Sequence, residues 1–545
     1  MLMNAHSLFR YSLIVLCAGL LFLPFLGRVH LFDWDEINFA ECAREMIVSG
    51  DYLMVQIDFK PFWEKPPLFI WMQALSMKLF GINEYAARFP NAFMGIVTLV
   101  SLYYIGQKVV NEKMARWWVI LYAASWLPHF YFKSGIIDPT FNFFILLSFY
   151  QIYLVRFGRD AYKHAFLSGI FLGLAVLTKG PAAALIALLA LAVYLVVNRG
   201  LWGYKPGHLV LIAFAALLPF AAWFGATILK HGWEYGQWFM SEFVTYQIRL
   251  FTTEDAGHGG PFYYHFIVLL IGCFPASLLL FQYSRHRVTE NEQARDFTRW
   301  MWILFWVTLI LFSIVNTKIV HYSSLCYFPL TYLAALKLDQ MFSGEVRLKK
   351  WVHISYLVIG IIWGLILMAL PFVGLYKEKL IPYIDDAFAV GNLQANVEWT
   401  QAEAIWGGIY LIGVISAVVL MKRNFNKGFS LLCITQLILI QVTVLHFTPK
   451  IEAYSQRAAI RYFKGFQGED VYVRPLGYKS YAHLFYTMKR PQANPNAYNE
   501  EWLLSGPVDK PAYFITKNTS ADHFRSIPTL EEIGSRNGFV FFRRK

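Results

Sequence analysis

Three carboxylates stand together at Asp33-Trp34-Asp35-Glu36, directly after the first apolar run of the chain. A carboxylate there can cap the following helix by accepting backbone N–H groups, and Asp33 reads that way. Asp35 reads as either cap or catalyst. With Glu36 it is suited to bind a cation or to take a proton from a hydroxyl nucleophile. The next cluster is Phe62-Trp63-Glu64-Lys65-Pro66-Pro67. Each proline pushes the residue before it toward extended geometry. Lys65 therefore sits on a stiff arm at a helix entrance, where a cation and terminal amides meet a phosphate. A lysine snorkelling to headgroups is the plainer reading, and the neighbouring Glu64 favours the functional one. Side chains alternate along an extended arm, so Glu64 and Lys65 serve different partners.

Further along come Arg249 and Glu254-Asp255-Ala256-Gly257-His258-Gly259-Gly260. Glycines beside His258 permit close backbone approach. Glu64 with His258 would leave a divalent metal the open positions that a catalytic site needs. Asn316-Thr317-Lys318-Ile319-Val320-His321-Tyr322 brings a cation, an imidazole and a phenol to one helix entrance, a set suited to an anionic headgroup. Interfacial anchoring is the bland alternative for Tyr322. Asp138 begins an apolar run, where an ionisable residue is a functional candidate by default. Lys179-Gly180-Pro181 reads as a tight turn or as a further cation for the site.

These residues need a scaffold, and the composition says which kind. Of 545 residues, 57% are hydrophobic and 15% are Asp, Glu, Lys or Arg, against about 25% charged in soluble domains. That excludes a solvated globular enzyme and a disordered chain. About thirteen apolar stretches are expected to span a bilayer, near 11–27, 88–107, 117–131, 138–155, 164–178, 181–197, 209–229, 262–282, 300–316, 321–336, 351–375, 404–421 and 428–446. With the N-terminus inside, the inner segments carry 20 Lys and Arg while the short outer loops hold Lys133, Lys179 and Lys318. That asymmetry is the positive-inside rule. The net charge of +13 thus reports topology and calls for no nucleic-acid partner. The first apolar run lacks a small-residue cleavage site and reads as an uncleaved anchor.

Three long outer loops, 28–87, 230–261 and 376–403, belong to a transmembrane domain 1–446. In the first, apolar periodicity predicts helices over Ile37–Val48, stopped by Gly50, and Leu68–Phe80, stopped by Gly81. Trp233–Leu250 is similar, and together these would form an amphipathic platform at the outer surface. Residues 447–545 carry 15 Lys/Arg and 9 Asp/Glu, and read as a small outer α/β domain. Its strands are expected at Val471–Val473, Ala512–Ile515 and Gly538–Phe542, and its helices at Ser455–Phe466 and Tyr478–Met488. Cys17, Cys273, Cys326 and Cys433 lie in apolar runs and Cys42 in a loop, so neither disulfides nor a CxxC metal site is expected.

In this order the pieces resemble a known family. They are Asp35-Glu36 with Ala40-Glu41 and Ala43-Arg44-Glu45-Met46, Glu64-Lys65-Pro66-Pro67, Ala86-Ala87-Arg88-Phe89-Pro90, Asp138-Pro139 and Lys179-Gly180. His258 with Pro261-Phe262-Tyr263-Tyr264, and Thr317-Lys318 with His321-Tyr322, complete the set. The resemblance is to the GT-C glycosyltransferases that use polyprenyl-phosphate sugars. It is nearest to the lipid A aminoarabinose (4-amino-4-deoxy-L-arabinose) transferase branch and more distant to the protein O-mannosyltransferases. It implies a polytopic α-helical membrane enzyme transferring a sugar, with inversion and metal assistance, from undecaprenyl phosphate to an envelope acceptor such as lipid A. The expected place is the outer face of a bacterial inner membrane, with the C-terminal domain periplasmic. Asp35 would be the principal catalytic carboxylate, with Glu36 and Asp138 as further candidates. Glu64 and His258 would hold a divalent metal (Zn, Mg or Mn). Lys65, Arg249 and Tyr322 would hold the lipid-linked phosphate, joined by Lys179, Lys318 and His321. Where that branch reads Asp-Glu-Pro-Arg-Tyr, this chain has Asp35-Glu36-Ile37-Asn38-Phe39, without the Arg and Tyr.

Other classes are a protein O-glycosyltransferase with a lipid-linked donor, a secondary transporter, and a membrane scaffold. Transporters carry charges near the midplane and often internal repeats, whereas here the charges gather at one outer surface. A scaffold explains the outer domain but not the Asp, Glu-Lys and His set.

Overall fold

A computed structural model describes residues 5–200, 203–252, 259–282 and 291–545. Eight of the described helices are long and apolar enough to cross a membrane: Glu84–Val109, Asp138–Phe157, Ala161–Lys179, Pro206–His231, Glu292–Ile314, Lys350–Leu375, Gln401–Arg423 and Phe425–Glu452. His6–Phe22 and Ala182–Val197 are shorter apolar helices. The chain is a multi-pass membrane protein. Three expected spans are interrupted rather than continuous. At 117–131 the helix breaks at Ser125, whose backbone is extended. At 262–282 it divides into Tyr264–Gly272 and Ala276–Leu279. At 321–336 a 3-10 turn, Val320–Cys326, precedes the helix Tyr327–Phe342.

Two of the three short-loop lysines finish helices. Lys133 Nζ donates to the carbonyls of Leu21, Phe22 and Pro24 at 2.9, 3.3 and 3.0 Å, closing the first helix. Lys318 Nζ donates to Phe312, Ser313 and Val315, closing Glu292–Ile314. Terminal carbonyls lack intrahelical partners, and a basic side chain satisfies them.

The first long loop, 28–87, departs from the expected surface platform. Its helix, Asp35–Ser49, is buried continuously from Glu36 to Met46, because each of its acids finds a partner. Glu41 takes both ends of the Arg44 guanidinium at 2.6 and 2.7 Å. Glu45 accepts the Asp58 and Phe59 N–H groups at 2.7 and 2.8 Å. Burial and the neighbouring Glu41 push the Glu45 carboxyl up. Gly50 closes the helix in the left-handed conformation, φ 72°. Leu68–Phe80 and Trp233–Thr252 form as helices, and a short hairpin (β1, Gln56–Ile57; β2, Lys60–Pro61) precedes the arm.

After Glu452 come the helix Arg457–Lys464 and a four-stranded sheet. Its strands are β3 (Tyr472–Leu476), β4 (Ala512–Lys517), β5 (Leu530–Arg536) and β6 (Phe539–Arg544), in the order β3-β4-β6-β5. Strands β3 and β4 are parallel and the other pairs antiparallel. Ala459, Ile460, Phe463 and Tyr486 of the tail share one apolar core with Leu31, Ile37, Ala43 and Ile70 of the first long loop. The tail is therefore packed onto the loop that carries Asp35.

Candidate active site

Asp35 is the first residue of its helix, and no side chain caps that helix. Asp33 instead accepts the neighbouring Trp34 N–H at 3.0 Å, so the cap expected of it is not made. Burial raises the Asp33 carboxyl, and a Ser480 hydrogen bond opposes the rise. Asp35, in the first turn where the helix dipole favours an anion, faces across to His321, whose Nε2 lies 3.5 Å from its Oδ2. The same nitrogen is 3.9 Å from Asp138 Oδ2. Asp138 opens its own helix, with Pro139 second, and its Oδ1 binds Lys179 Nζ at 2.5 Å. Its Oδ2 is buried without a hydrogen-bond donor. Lys179 also lies over the Tyr322 ring, 5.3 Å from its centroid.

Lys65 approaches this group from the proline arm. Its Nζ is 3.1 Å from Glu64 Oε1, so the two neighbours pair with each other instead of serving separate partners as expected. Burial alone would lower the Lys65 ammonium; Glu64, Asp35 and Tyr322 outweigh it and hold the pKa above the ordinary lysine value. The arm is pinned by the helix Trp233–Thr252. Gln247 Nε2 donates to the Trp63 and Glu64 carbonyls, both at 3.1 Å, and the Trp63 and Trp238 rings meet edge-on at 5.6 Å. Gly180 makes that approach possible. Its φ is +90°, and a Cβ there would lie 2.7 Å from Gln247 Oε1. Arg249 follows two residues after Gln247, its guanidinium 5.0 Å from the Tyr246 ring.

Asp35, Glu64, Lys65, Asp138, Lys179, His321 and Tyr322 thus form one connected group, with Arg249 on the helix that holds the arm. Two expected members stand elsewhere. Glu36 is fully committed: Arg88 binds both its oxygens at 2.7 and 2.9 Å, and the Phe32 and Gly135 N–H groups donate at 2.9 and 2.5 Å. Burial would raise the Glu36 carboxyl, but Arg88 and the two amides hold it below the usual range. Arg88 also donates to the Leu26, Val29 and His30 carbonyls. The Glu36–Arg88 pair therefore fastens the loop to the bundle, leaving no open oxygen for catalysis. Lys318 is the second, its ammonium spent on helix carbonyls.

For the expected metal, His258 lies outside the described residues. Among the described residues, no group of three His, Cys, Asp or Glu is placed to hold an ion, and Glu64 is paired with Lys65. The donors present do not by themselves make a metal site. Three contributors had no signal in the sequence. Gln247 is a lone amide on an aromatic helix. Tyr131, on Trp126–Tyr131, sets its ring against His321 at 6.5 Å. Lys479 reaches from the tail, 5.4 Å from the Trp34 ring.

Residues 64–223 match the family model described as dolichyl-phosphate-mannose-protein mannosyltransferase. An undecaprenyl phosphate-alpha-4-amino-4-deoxy-L-arabinose arabinosyl transferase from Shewanella sediminis is 26% identical over 60% of this chain and 59% of its own. Its counterpart from Edwardsiella ictaluri is 28% identical over 60% and 58%. The chain thus spans somewhat under two thirds of these curated relatives. The crystal structure of ArnT from Cupriavidus metallidurans bound to undecaprenyl phosphate superimposes with a TM-score of 0.75 at 18% identity, covering 99% of this chain and 98% of that one. The apo form gives 0.74 at 17%. The fold is that of these ArnT structures, and the likeness extends over nearly the whole length of both chains.

Proposed function

We propose that the protein transfers a glycosyl group from an undecaprenyl-phosphate sugar to an envelope acceptor such as lipid A. The site would act at the outer face of a bacterial inner membrane, with the N-terminus inside and the C-terminal domain outside. One observation carries the reading: Asp35, Lys65, Asp138, Lys179, His321 and Tyr322 converge from five separate segments on one spot. The undecaprenyl phosphate named for the similar proteins supports the donor class.

In the transfer, the bond between the anomeric carbon and the carrier phosphate breaks while a bond to the acceptor oxygen forms. The electron pair leaves with the phosphate. Lys65, kept protonated by Glu64 and Asp35, is placed to neutralise that charge as it develops. Lys179 is fixed by Asp138 and keeps that buried carboxylate neutralised at the edge of the site. Asp35 takes the proton when the acceptor is a hydroxyl, and orients the sugar when the acceptor is a phosphate, already an anion. His321, between the two aspartates, sets the position of Asp35. A divalent cation held by Glu64 and His258 would supply further positive charge toward the leaving phosphate.

A protein acceptor is the second reading, favoured by the match of residues 64–223 to a protein mannosyltransferase model. Mass spectrometry of lipid A and of envelope glycoproteins, with and without the gene, separates the two. Loss of a sugar from lipid A supports the first reading, loss from a glycoprotein the second, and no change in either contradicts both.

A further inference from the structure

At the far end of the helix Tyr327–Phe342 from His321 lies a pocket of about 750 Å³, lined by Arg347, Lys350 and Lys422, by His353, and by apolar residues including Ile354 and Phe425. No carboxylate is in its lining. Arg347, Lys350 and Lys422 are exposed, and none of them forms an ion pair among the described residues. Of the nearby acids, Asp339 is already held, by Lys113 at 3.3 Å and Asn111 at 2.9 Å, and the exposed Glu345 beside Val346 offsets one of the three cations at most. The His353 ring adds a buried Nε2 with no hydrogen-bond partner. Three cations around one pocket, with no carboxylate in its lining, leave an excess of positive charge that an anion would complete.

We infer that this pocket binds the headgroup of an anionic glycerophospholipid, with an acyl chain lying along the outside of the helix Lys350–Leu375. Basic pockets between transmembrane helices are suited to anionic lipid heads. The apolar side of the pocket continues onto an exposed stripe at every fourth residue: Ile354, Val358 and Ile362 are 57%, 48% and 50% exposed. Residues so spaced share one helix face. A soluble phosphate would use the cations and leave that stripe unused, so the geometry selects a lipid. The carrier phosphate of the proposed reaction is a poor occupant, because it must reach Lys65. The helix Tyr327–Phe342 separates the two places by about 24 Å at 1.5 Å per residue.

The test uses full-length protein in neutral detergent, titrated with phosphatidylglycerol or phosphatidylcholine and read by native mass spectrometry. Phosphatidylglycerol should stay bound and phosphatidylcholine should not. The triple variant Arg347→Gln, Lys350→Gln, Lys422→Gln should retain phosphatidylglycerol roughly fivefold less or weaker still. Its melting temperature should be unchanged, since all three side chains are exposed. A control pair on another basic loop, Arg159→Gln with Lys163→Gln, should bind as the wild type does. Millimolar inorganic phosphate should displace little lipid. Equal retention of the two lipids, undiminished retention by the triple variant, or displacement by phosphate alone would each overturn the assignment.

Discussion

The carboxylates of Asp35 and Asp138 face a single imidazole nitrogen: His321 Nε2 lies 3.5 Å from Asp35 Oδ2 and 3.9 Å from Asp138 Oδ2. The two acids are otherwise unlike. Asp138 is buried and bound to Lys179, whereas Asp35 is a third exposed. The open carboxylate is the one that substrate can touch. Asp35→Asn should fold normally and lose about 10²- to 10⁴-fold of turnover, the usual range for a proton-transferring group. Circular dichroism and turnover on purified protein check this. Near-wild-type turnover would remove Asp35 from the chemistry.

Glu36 should behave as a structural residue despite standing beside Asp35. Removing one partner of a buried ion pair costs about 3–5 kcal/mol, so Glu36→Gln and Arg88→Ala should each lower the melting temperature markedly. The double variant should cost much less than the two losses added, because the pair is already broken. The pH dependence has a definite sign. The folded-state pKa of Glu36 lies below its ordinary value of 4.5. Its contribution is therefore present above the unfolded value and is lost as pH falls through the folded one. Melting curves of the wild type and Glu36→Gln should converge on acidification.

Lys179 neutralises a buried carboxylate. Lys179→Met should leave Asp138 uncompensated and destabilise the protein, again by about 3–5 kcal/mol. Adding Asp138→Asn should recover stability without recovering transfer. Thermal melts beside a turnover assay separate the two effects. Recovery of both would make the pair purely structural.

Gly180→Ala tests the approach of the arm-holding helix. It introduces a Cβ 2.7 Å from Gln247 Oε1 at a backbone φ of +90°. It should raise KM for the lipid-linked donor more than it lowers kcat, because the arm carrying Lys65 would shift. Gln247→Ala should raise KM in the same way, with no backbone strain. An unchanged KM in both variants would disconnect the helix from the donor site.

Orientation is tested by labelling. Asp522 has a side chain 95% exposed on the tail, and Asp522→Cys should react with an impermeant thiol reagent in intact spheroplasts. Ser480 would be a poor reporter, since it is buried against the first long loop. Labelling of Asp522→Cys only after lysis would reverse the topology.

Much of this was legible in the chain, for reasons that differ by residue. Long apolar runs and their stops marked the helices, and Gly50 marked one end correctly because only a left-handed residue closes that helix cleanly. Strand β5 was missed because Leu530–Arg536 is a mostly exposed edge with little apolar alternation. Asp35, Lys65, Asp138, Lys179, His321 and Tyr322 carried charge or aromatic character beside apolar runs, which made them visible. Partner choice was not visible. Nothing local separates Glu36 from Asp35; Arg88, 52 positions away, takes one and leaves the other. Lys318 looked like Lys179, yet lies within reach of its own helix end. Gln247 had no charge to draw attention and matters only through the carbonyls it meets.

Transfer of a radiolabelled sugar from an undecaprenyl-phosphate donor is measured in proteoliposomes containing purified protein and lipid A. Wild type, Asp35→Asn and Lys65→Ala should be run together. Labelled lipid A is expected with the wild type, almost none with Asp35→Asn despite retained donor binding, and weakened donor binding with Lys65→Ala. Lys65 has its pKa raised above the ordinary 10.5. Its contribution is thus present below that value and lost only as pH rises through the folded-state pKa, so donor binding should hold to about pH 10. Uptake of donor without transfer by the wild type, or equal transfer by all three proteins, would contradict the account.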